Sequence, residues 1–349
     1  MRLALDATYA LDPQPTGVAR YSQRLIAALA VREDLAITLA ARPRRYAALR
    51  REFPASRFTR TILQEPLNLM LPSLDLFHGL NQRLPRYRFR RAVTTIHDVF
   101  AISSQSYSSP DFQNKFGELI RDAVRRSDAL IAVSSYTRDE VCRVTGCDPA
   151  KITVVHHGID APTLHSHVPV AEKFFLSVGV IQTRKNTLAA VQAIEPLPKN
   201  VKLAIAGGSG YGAEETLDYI RRQGLSDRVR VLGHCDEQSL DELYATATAL
   251  IFPSFEEGFG FPVLEAMARG LPVIAARASS IPEITGDAAL LFDPLDHAGM
   301  AGACQQLLDD PSFAAELSFK GRAQAAKFTW QRAADETFQV YTKVISSCP

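Results

Sequence analysis

Short apolar runs rich in leucine and β-branched residues alternate along the chain with longer stretches whose apolar positions recur at helical spacing. Continuous runs suit strands buried on both faces and the periodic stretches suit helices laid against them, so the alternation predicts an α/β protein with parallel sheets. In the first half the predicted strands are Arg2 to Leu5, Ala36 to Ala40, Asp75 to Phe77, Ala92 to Ile96, Ala129 to Val133 and Ile152 to Val155. Helices are predicted at Gly17 to Ala30, Phe112 to Arg126 and Ser135 to Arg143. The second half is more regular, with strands at Phe174 to Val178, Lys202 to Ala206, Val229 to Leu232, Ala249 to Phe252, Pro272 to Ala275 and Ala289 to Phe292. Its helices are expected at Thr187 to Ile194, Ala213 to Arg222, Ser239 to Thr246, Pro262 to Arg269 and Ala298 to Asp309.

Between the halves, Gly158 to Pro169 has no period and carries two prolines, Pro162 and Pro169, as a linker would. A length of 349 residues agrees with two domains. The expected division is 1–165, 166–328 and a final helix, 329–349, packing back on the first domain.

Composition then removes several classes. No stretch approaches the roughly 18 consecutive apolar residues of a membrane span, and Arg2 and Asp6 interrupt the start before a signal-peptide core can form, so a cytoplasmic protein is expected. The five cysteines, Cys142, Cys147, Cys235, Cys304 and Cys348, are scattered without a C-x-x-C pair and read as free thiols. A net charge of +1 argues against nucleic acid as a partner. That sum hides an asymmetry, because residues 1–165 carry 23 basic and 16 acidic side chains and the remainder carry 16 and 22. Between Arg42 and Arg91 stand 12 arginines against Glu52, Glu65 and Asp75. Arg42, Arg44, Arg45, Arg50 and Arg51, interleaved with Tyr46, Leu49 and Phe53, read either as a basic amphipathic surface for anionic lipid or as a solvated basic face.

The strongest chemical signal is Glu257-Gly258-Phe259-Gly260-Phe261-Pro262-Val263-Leu264-Glu265, which follows a predicted strand and opens a predicted helix. Gly258 and Gly260 let backbone approach a ligand, the amides near Phe261 to Leu264 offer an anion site, and Glu265 falls about one turn into the helix, where it can accept from sugar hydroxyls. A second cluster, Gly179-Val180-Ile181-Gln182-Thr183-Arg184-Lys185-Asn186, follows the first strand of the second half. Loops at the carboxyl ends of parallel strands bind ligands in doubly wound sheets, and the two cations suit a diphosphate. A pair of cations at a helix start opposes the macrodipole, which favours a functional reason for them. In the first half, His97-Asp98 ends a strand and Thr16-Gly17 opens a helix, with His78-Gly79 and Ser134 as weaker strand-end candidates. Gly208-Ser209-Gly210-Tyr211-Gly212-Ala213 fits the dinucleotide fingerprint, but it follows the second strand of its half, and the nearest acidic strand-end residue, Asp236, lies 28 positions beyond Gly208. A nicotinamide site is therefore not expected. No D-x-D pair, H-E-x-x-H, Walker lysine loop or G-x-S-x-G elbow is present.

Together these residues resemble glycosyltransferase family 4, retaining nucleotide-sugar-dependent transferases of GT-B architecture, in which two Rossmann-like doubly wound domains face a cleft. The resemblance covers nearly the whole chain and is most specific in Val178 to Asn186, Ala204 to Gly208, Pro253 to Ala268 and Gly286 to Pro294. It implies an acceptor-binding first domain and a donor-binding second domain. The family's E-x7-E element falls on Glu257, near the transferred sugar, and Glu265, on the donor ribose. Arg184 and Lys185 match its diphosphate-binding pair, Gly179 its donor loop, His97 the histidine that approaches the donor sugar, and Gly17 its phosphate-side glycine loop. Thr16 stands where paired glycines are common. The implied reaction is retaining transfer of a sugar, with mannose the first candidate, to a glycan or lipid-linked acceptor in cell-surface polysaccharide assembly. It needs no metal or other cofactor, because Arg184, Lys185 and helix amides would stabilise the departing diphosphate. The alternatives are a GT-B sugar-nucleotide epimerase and a non-catalytic nucleotide-sugar-binding protein. Base and sugar choice are assigned to Gly233 to Glu237 and Phe255 to Phe261.

Overall fold

The computed structural model describes residues 1–12, 16–64, 73–104, 106–161 and 173–347. The chain divides into two compact units. One comprises Met1–Ser103, Ser109–Gly158 and Phe328–Pro349, and the other comprises Ile159–Lys327 with the short Ser104–Ser108 segment. The expected boundary at residue 165 and most of the expected linker lie outside the described residues.

In the first unit, seven parallel strands form one sheet: β1 (Arg2–Asp6), β2 (Ala36–Ala41), β3 (Thr59–Ile62), β4 (Leu76–Gly79), β5 (Ala92–Ile96), β6 (Ala129–Ala132) and β7 (Ile152–Val154). Their order is β3-β2-β1-β4-β5-β6-β7, so the winding direction reverses between β1 and β4, where Leu5 pairs with Leu39 on one side and His78 on the other. The apolar runs of β1, β4 and β5 are buried because helices cover both sheet faces. The Gly17–Leu29 helix contributes Leu25, Ile26 and Leu29 to the same core as Ala334, Val340, Tyr341 and Val344 of the final helix, Trp330–Ser346. That helix docks closely: a Cβ at Gly158 would strike the backbone of Thr329 and Trp330.

The second unit repeats the plan with β8 (Phe174–Val178), β9 (Lys202–Ala206), β10 (Val229–Gly233), β11 (Ala249–Phe252), β12 (Val273–Ala276) and β13 (Leu290–Phe292). The order β10-β9-β8-β11-β12-β13 is again wholly parallel and reverses between β8 and β11. Each unit is thus a Rossmann-like doubly wound α/β layer. In such sheets the crevice at the carboxyl ends of the strands beside the reversal is the ligand position.

Strand β3 has no counterpart in the sequence reading. Thr59-Arg60-Thr61-Ile62 is polar at its first three positions, as an edge strand paired only to β2 tolerates. It lies in the arginine-rich window, which the structure breaks into separate pieces. Leu49 of the Tyr46–Glu52 helix is fully buried, and Tyr46 and Phe53 pack against the same core. The apolar side of that segment is therefore covered by its own domain, and the expected amphipathic surface is reduced to its basic side. Several arginines are also bound internally, Arg60 to the carbonyls of Arg50 and Phe53 and Arg57 to that of Ala30. Among the described residues, no helix is long and apolar enough to cross a membrane. Cys142, Cys147, Cys235 and Cys304 are free thiols. Cys348 lies outside the described residues.

Candidate active site

The reversal point of the second unit brings two loops together, one leaving β8 and one leaving β11. After β8 the chain turns through Gly179, whose φ of +130° suits glycine and whose Cβ would lie 3.5 Å from the Lys185 side chain. A single 3₁₀ turn, Thr183–Lys185, then presents Arg184 and Lys185, and Asn186 takes a left-handed conformation before the Thr187–Ile194 helix. Asn186 holds the arrangement by donating from Nδ2 to the carbonyls of Pro253 at 3.1 Å and Pro294 at 2.8 Å. The Phe255 amide donates to the Arg184 carbonyl at 2.9 Å, which ties the two loops directly.

At their junction lies a buried charge cluster. Lys185 Nζ is 2.5 Å from Glu257 Oε1 and Arg184 Nη1 is 3.2 Å from Oε2, all three side chains being 15% exposed or less. Arg184 Nη1 also donates to the Glu256 carbonyl. Burial by itself pushes the Glu257 carboxyl up, but Lys185 and Arg184 together override it and hold it below its ordinary value of 4.5. Glu257 is thus a carboxylate at neutral pH, and the cluster keeps one positive charge in excess. The loop is pinned from the turn after β12 as well: the Glu257 amide donates to Ser279 Oγ at 3.0 Å, and Ser280 Oγ donates to the carbonyls of Glu257 and Phe259 at 3.0 and 2.8 Å.

Gly260 precedes the Phe261–Arg269 helix. The anion site expected over 261–264 is narrower in the structure, because Pro262 has no amide proton and the amides of Val263 and Leu264 turn back onto the Gly260 carbonyl at 3.1 and 3.3 Å. Glu265 is 5% exposed and accepts from Tyr244 Oη at 2.7 Å through Oε2. Arg269 lies over the Tyr244 ring, pairs with Asp241 and donates to the Glu265 carbonyl at 3.1 Å. Tyr244, Asp241, Ser279 and Ser280 were not singled out in the sequence. Tyr244 reads there as one more apolar position of a helix, and only the fold brings it to Glu265.

The G-x-G-x-x-A segment has a structural explanation. Gly208 and Gly210 exchange backbone hydrogen bonds with Ile181, both at 2.8 Å, and the Tyr211 carbonyl accepts from the Thr183 amide at 3.0 Å. A Cβ at Gly207 would strike the Gly179 carbonyl. Within the segment itself, a Cβ at Gly210 would strike Val180 and one at Gly212 would strike Thr183, so these two glycines admit the neighbouring loop.

The remaining candidates lie in the first unit. Gly17 is the exposed first residue of its helix, capped by Thr16 Oγ1, which accepts from the Ala19 amide at 3.2 Å. Ser134 similarly caps the Ser135–Thr145 helix. His97, 7% exposed, has Nε2 2.9 Å from the Leu80 carbonyl, which can only accept, so the proton sits on Nε2. Burial lowers this imidazole to about 4, and it remains neutral at physiological pH. His78 links Thr95 at 2.9 Å to Tyr341 at 2.6 Å, and burial lowers it to about 3. Asp6, at the carboxyl end of β1, accepts from Thr8 twice, and burial raises its carboxyl. Among the described residues no three His, Cys, Asp or Glu side chains group as a metal site requires.

Comparison with known proteins agrees with this geometry. Residues 165–324 match the family described as "Glycosyl transferases group 1", and residues 15–161 match "Glycosyltransferase Family 4". The chain is 27% identical over 281 residues to the O-antigen chain mannosyltransferase B of Escherichia coli, covering 76% of this chain and 74% of that protein. It is 30% identical over 280 residues to the D-inositol 3-phosphate glycosyltransferase of Xylanimonas cellulosilytica, covering 74% and 67%. Its fold superposes on sucrose-phosphate synthase from Thermosynechococcus elongatus with a TM-score of 0.76 at 21% identity, over the full length of both chains. Two doubly wound units, a paired-glutamate loop beside an Arg-Lys turn and matches spanning both halves have one common reading: the chain belongs to glycosyltransferase family 4 and is a glycosyltransferase of GT-B fold.

Proposed function

We propose that this glycosyltransferase moves a sugar, with retention, from a nucleotide-diphosphate donor held by its second unit to a glycan or lipid-linked saccharide in cell-surface polysaccharide assembly. The observation that carries this reading is the buried Arg184, Lys185 and Glu257 cluster, two fixed cations on one carboxylate at the reversal point of the sheet. Cleaving the anomeric bond puts positive charge on the sugar and negative charge on the departing diphosphate. Cations already fixed by Glu257 meet that charge without reorganising, which is the source of electrostatic catalysis and takes the place of a metal. Glu265, held by Tyr244, accepts from the donor ribose. Gly179, Gly258, Phe259, Gly260, Phe261, Pro262 and Val263 shape the donor loops.

Retention follows by same-face attack, the leaving phosphate taking the acceptor's proton. Both Glu257 oxygens are engaged by cations, which favours a positioning and electrostatic role for this carboxylate over a nucleophilic one. His97, neutral and with its proton on Nε2, has no charge to supply and is limited to shape and hydrogen bonding. The Escherichia coli relative, named as a mannosyltransferase, makes a mannose nucleotide the first donor to test. A matching donor at 100 times its Kd adds about 2.7 kcal/mol to stability, so a thermal-shift screen of GDP-, UDP-, ADP- and dTDP-sugars identifies it. Product formation is then followed with and without acceptor. Transfer only when acceptor is present is expected, whereas conversion of the donor to its epimer without acceptor would replace this reading with that of an epimerase.

A further inference from the structure

Away from the strand ends that carry the candidate site, the first unit has a cavity of about 1040 Å³ between the Leu80–Arg91 loop and the Pro110–Arg126 helix. The loop runs from the carboxyl end of β4 back to the start of β5. Arg86, Arg88 and Arg90 therefore lie near the amino ends of the strands, about a strand's length, roughly 15 Å, from His97 at the other end of β5.

The loop's own pattern explains the lining. Arg86-Tyr87-Arg88-Phe89-Arg90 alternates, and its aromatic members are the anchors: Phe89 stacks on Phe77 with centroids 3.9 Å apart, and Tyr87 meets Phe89 edge to face at 5.0 Å. Arg126 fixes the loop from the helix by donating to the carbonyls of Pro85 and Tyr87 at 2.7 and 2.6 Å while pairing with Asp122 at 2.8 Å. Asp128 is engaged too, accepting from the Ala92 amide at 2.7 Å. Six basic side chains line this cavity against three acidic ones, so it keeps a net positive charge. The exposed heads of Arg86, Arg88, Arg90 and Lys115 face it beside a Tyr87 that is 38% exposed.

A cavity above the usual 300 to 1,000 Å³ for small ligands, carrying several guanidinium forks and an exposed ring, suits a ligand with repeated oxyanions and flat apolar sugar faces. It does not suit a bilayer, because Phe89 of this loop and Leu49 of the Tyr46–Glu52 helix are turned into the domain's own packing, which leaves, among the described residues of these two segments, the one exposed ring of Tyr87 and no apolar face to insert. Resting on the glycosyltransferase reading, we infer that this cavity is a second saccharide site, which binds carboxylate or phosphate groups on a distal part of an acidic acceptor glycan.

The test uses the full chain, oligogalacturonate as the acidic probe and its methyl ester as the neutral control, with binding followed by calorimetry at low and high salt. Expected are binding of the acid form alone, loss at high salt, and at least tenfold weaker binding by the Arg86→Gln/Arg88→Gln/Arg90→Gln variant. Thermal shift by the nucleotide-sugar donor should be unchanged in that variant. Equal binding of acid and ester, wild-type affinity in the variant, or binding to anionic phospholipid vesicles with none to the oligosaccharide would each overturn the site. Failure of the donor reading shows separately, as absence of any donor shift in the wild-type chain.

Discussion

The two units share one topology and treat charge in opposite ways at the same place. In the second unit, the loops after β8 and β11 bury Arg184, Lys185 and Glu257 as mutually compensating ions, and Glu265 lies nearby under Tyr244. In the first, the strand ends around the β1/β4 reversal carry His78, Thr95, Tyr21 and Tyr341 in a buried hydrogen-bonded chain, with His97 edge-on to Tyr21 at 4.7 Å. There burial suppresses charge, lowering both histidines and raising Asp6. A parallel doubly wound sheet therefore fixes where a site lies but not its polarity, which the loop residues decide.

The comparison breaks hardest at Glu257. Glu257→Gln leaves two cations buried without their carboxylate, and losing one partner of a buried ion pair costs about 3 to 5 kcal/mol. Transfer should fall by more than 100-fold and the melting temperature should drop, as steady-state kinetics and calorimetry on the purified variant would record. Unchanged stability would mean that the cluster is not the compensated unit described. Tyr244→Phe removes one hydrogen bond to a carboxylate, worth about 1.5 to 3 kcal/mol, so the donor KM should rise at least about tenfold with kcat less affected. If Tyr244 only filled space, donor KM would not move.

A milder test separates the units by pH. His78 and His97 stay neutral when folded but take up protons near pH 6.5 when unfolded, so the first unit loses stability as the pH falls below about 6.5, levelling off near 3 to 4. Glu257 loses its contribution in the same direction but in a lower window, being complete above 4.5 and lost only as the pH falls through its depressed value. Trp330, the single tryptophan, belongs to the first unit and reports its urea midpoint directly. That midpoint should be lower at pH 5 than at pH 7. A flat profile in Asp6→Asn, which removes the carboxyl whose raised value runs against this trend, would show that the histidines are not held neutral. Tyr341→Phe, which deletes one neutral hydrogen bond to His78, should cost the first unit only about 1 kcal/mol in the same experiment.

Local pattern made the second unit the more readable. Its six strands were each anticipated, and Arg184, Lys185, Glu257 and Glu265 stood out because charges beside glycines at a strand-to-helix turn are costly without a purpose. Tyr244 and Ser280 did not stand out, since their importance depends on contacts 21 and 23 residues away that no local period reveals. Strand β3 was missed because a polar edge strand lacks the buried run that marks its neighbours. The arginine window was legible as charge but not as geometry. Capping carbonyls take Arg57 and Arg60, and only the fold shows that Arg86, Arg88 and Arg90 gather at a separate cavity.

If Arg184 and Lys185 stabilise the departing diphosphate, purified Arg184→Ala must lose turnover. With the fold verified by circular dichroism, kcat/KM for sugar transfer should fall at least about 100-fold, the scale on which preorganised charge stabilisation acts. Full turnover by the folded variant would mean that Arg184 does not meet the charge of the leaving diphosphate.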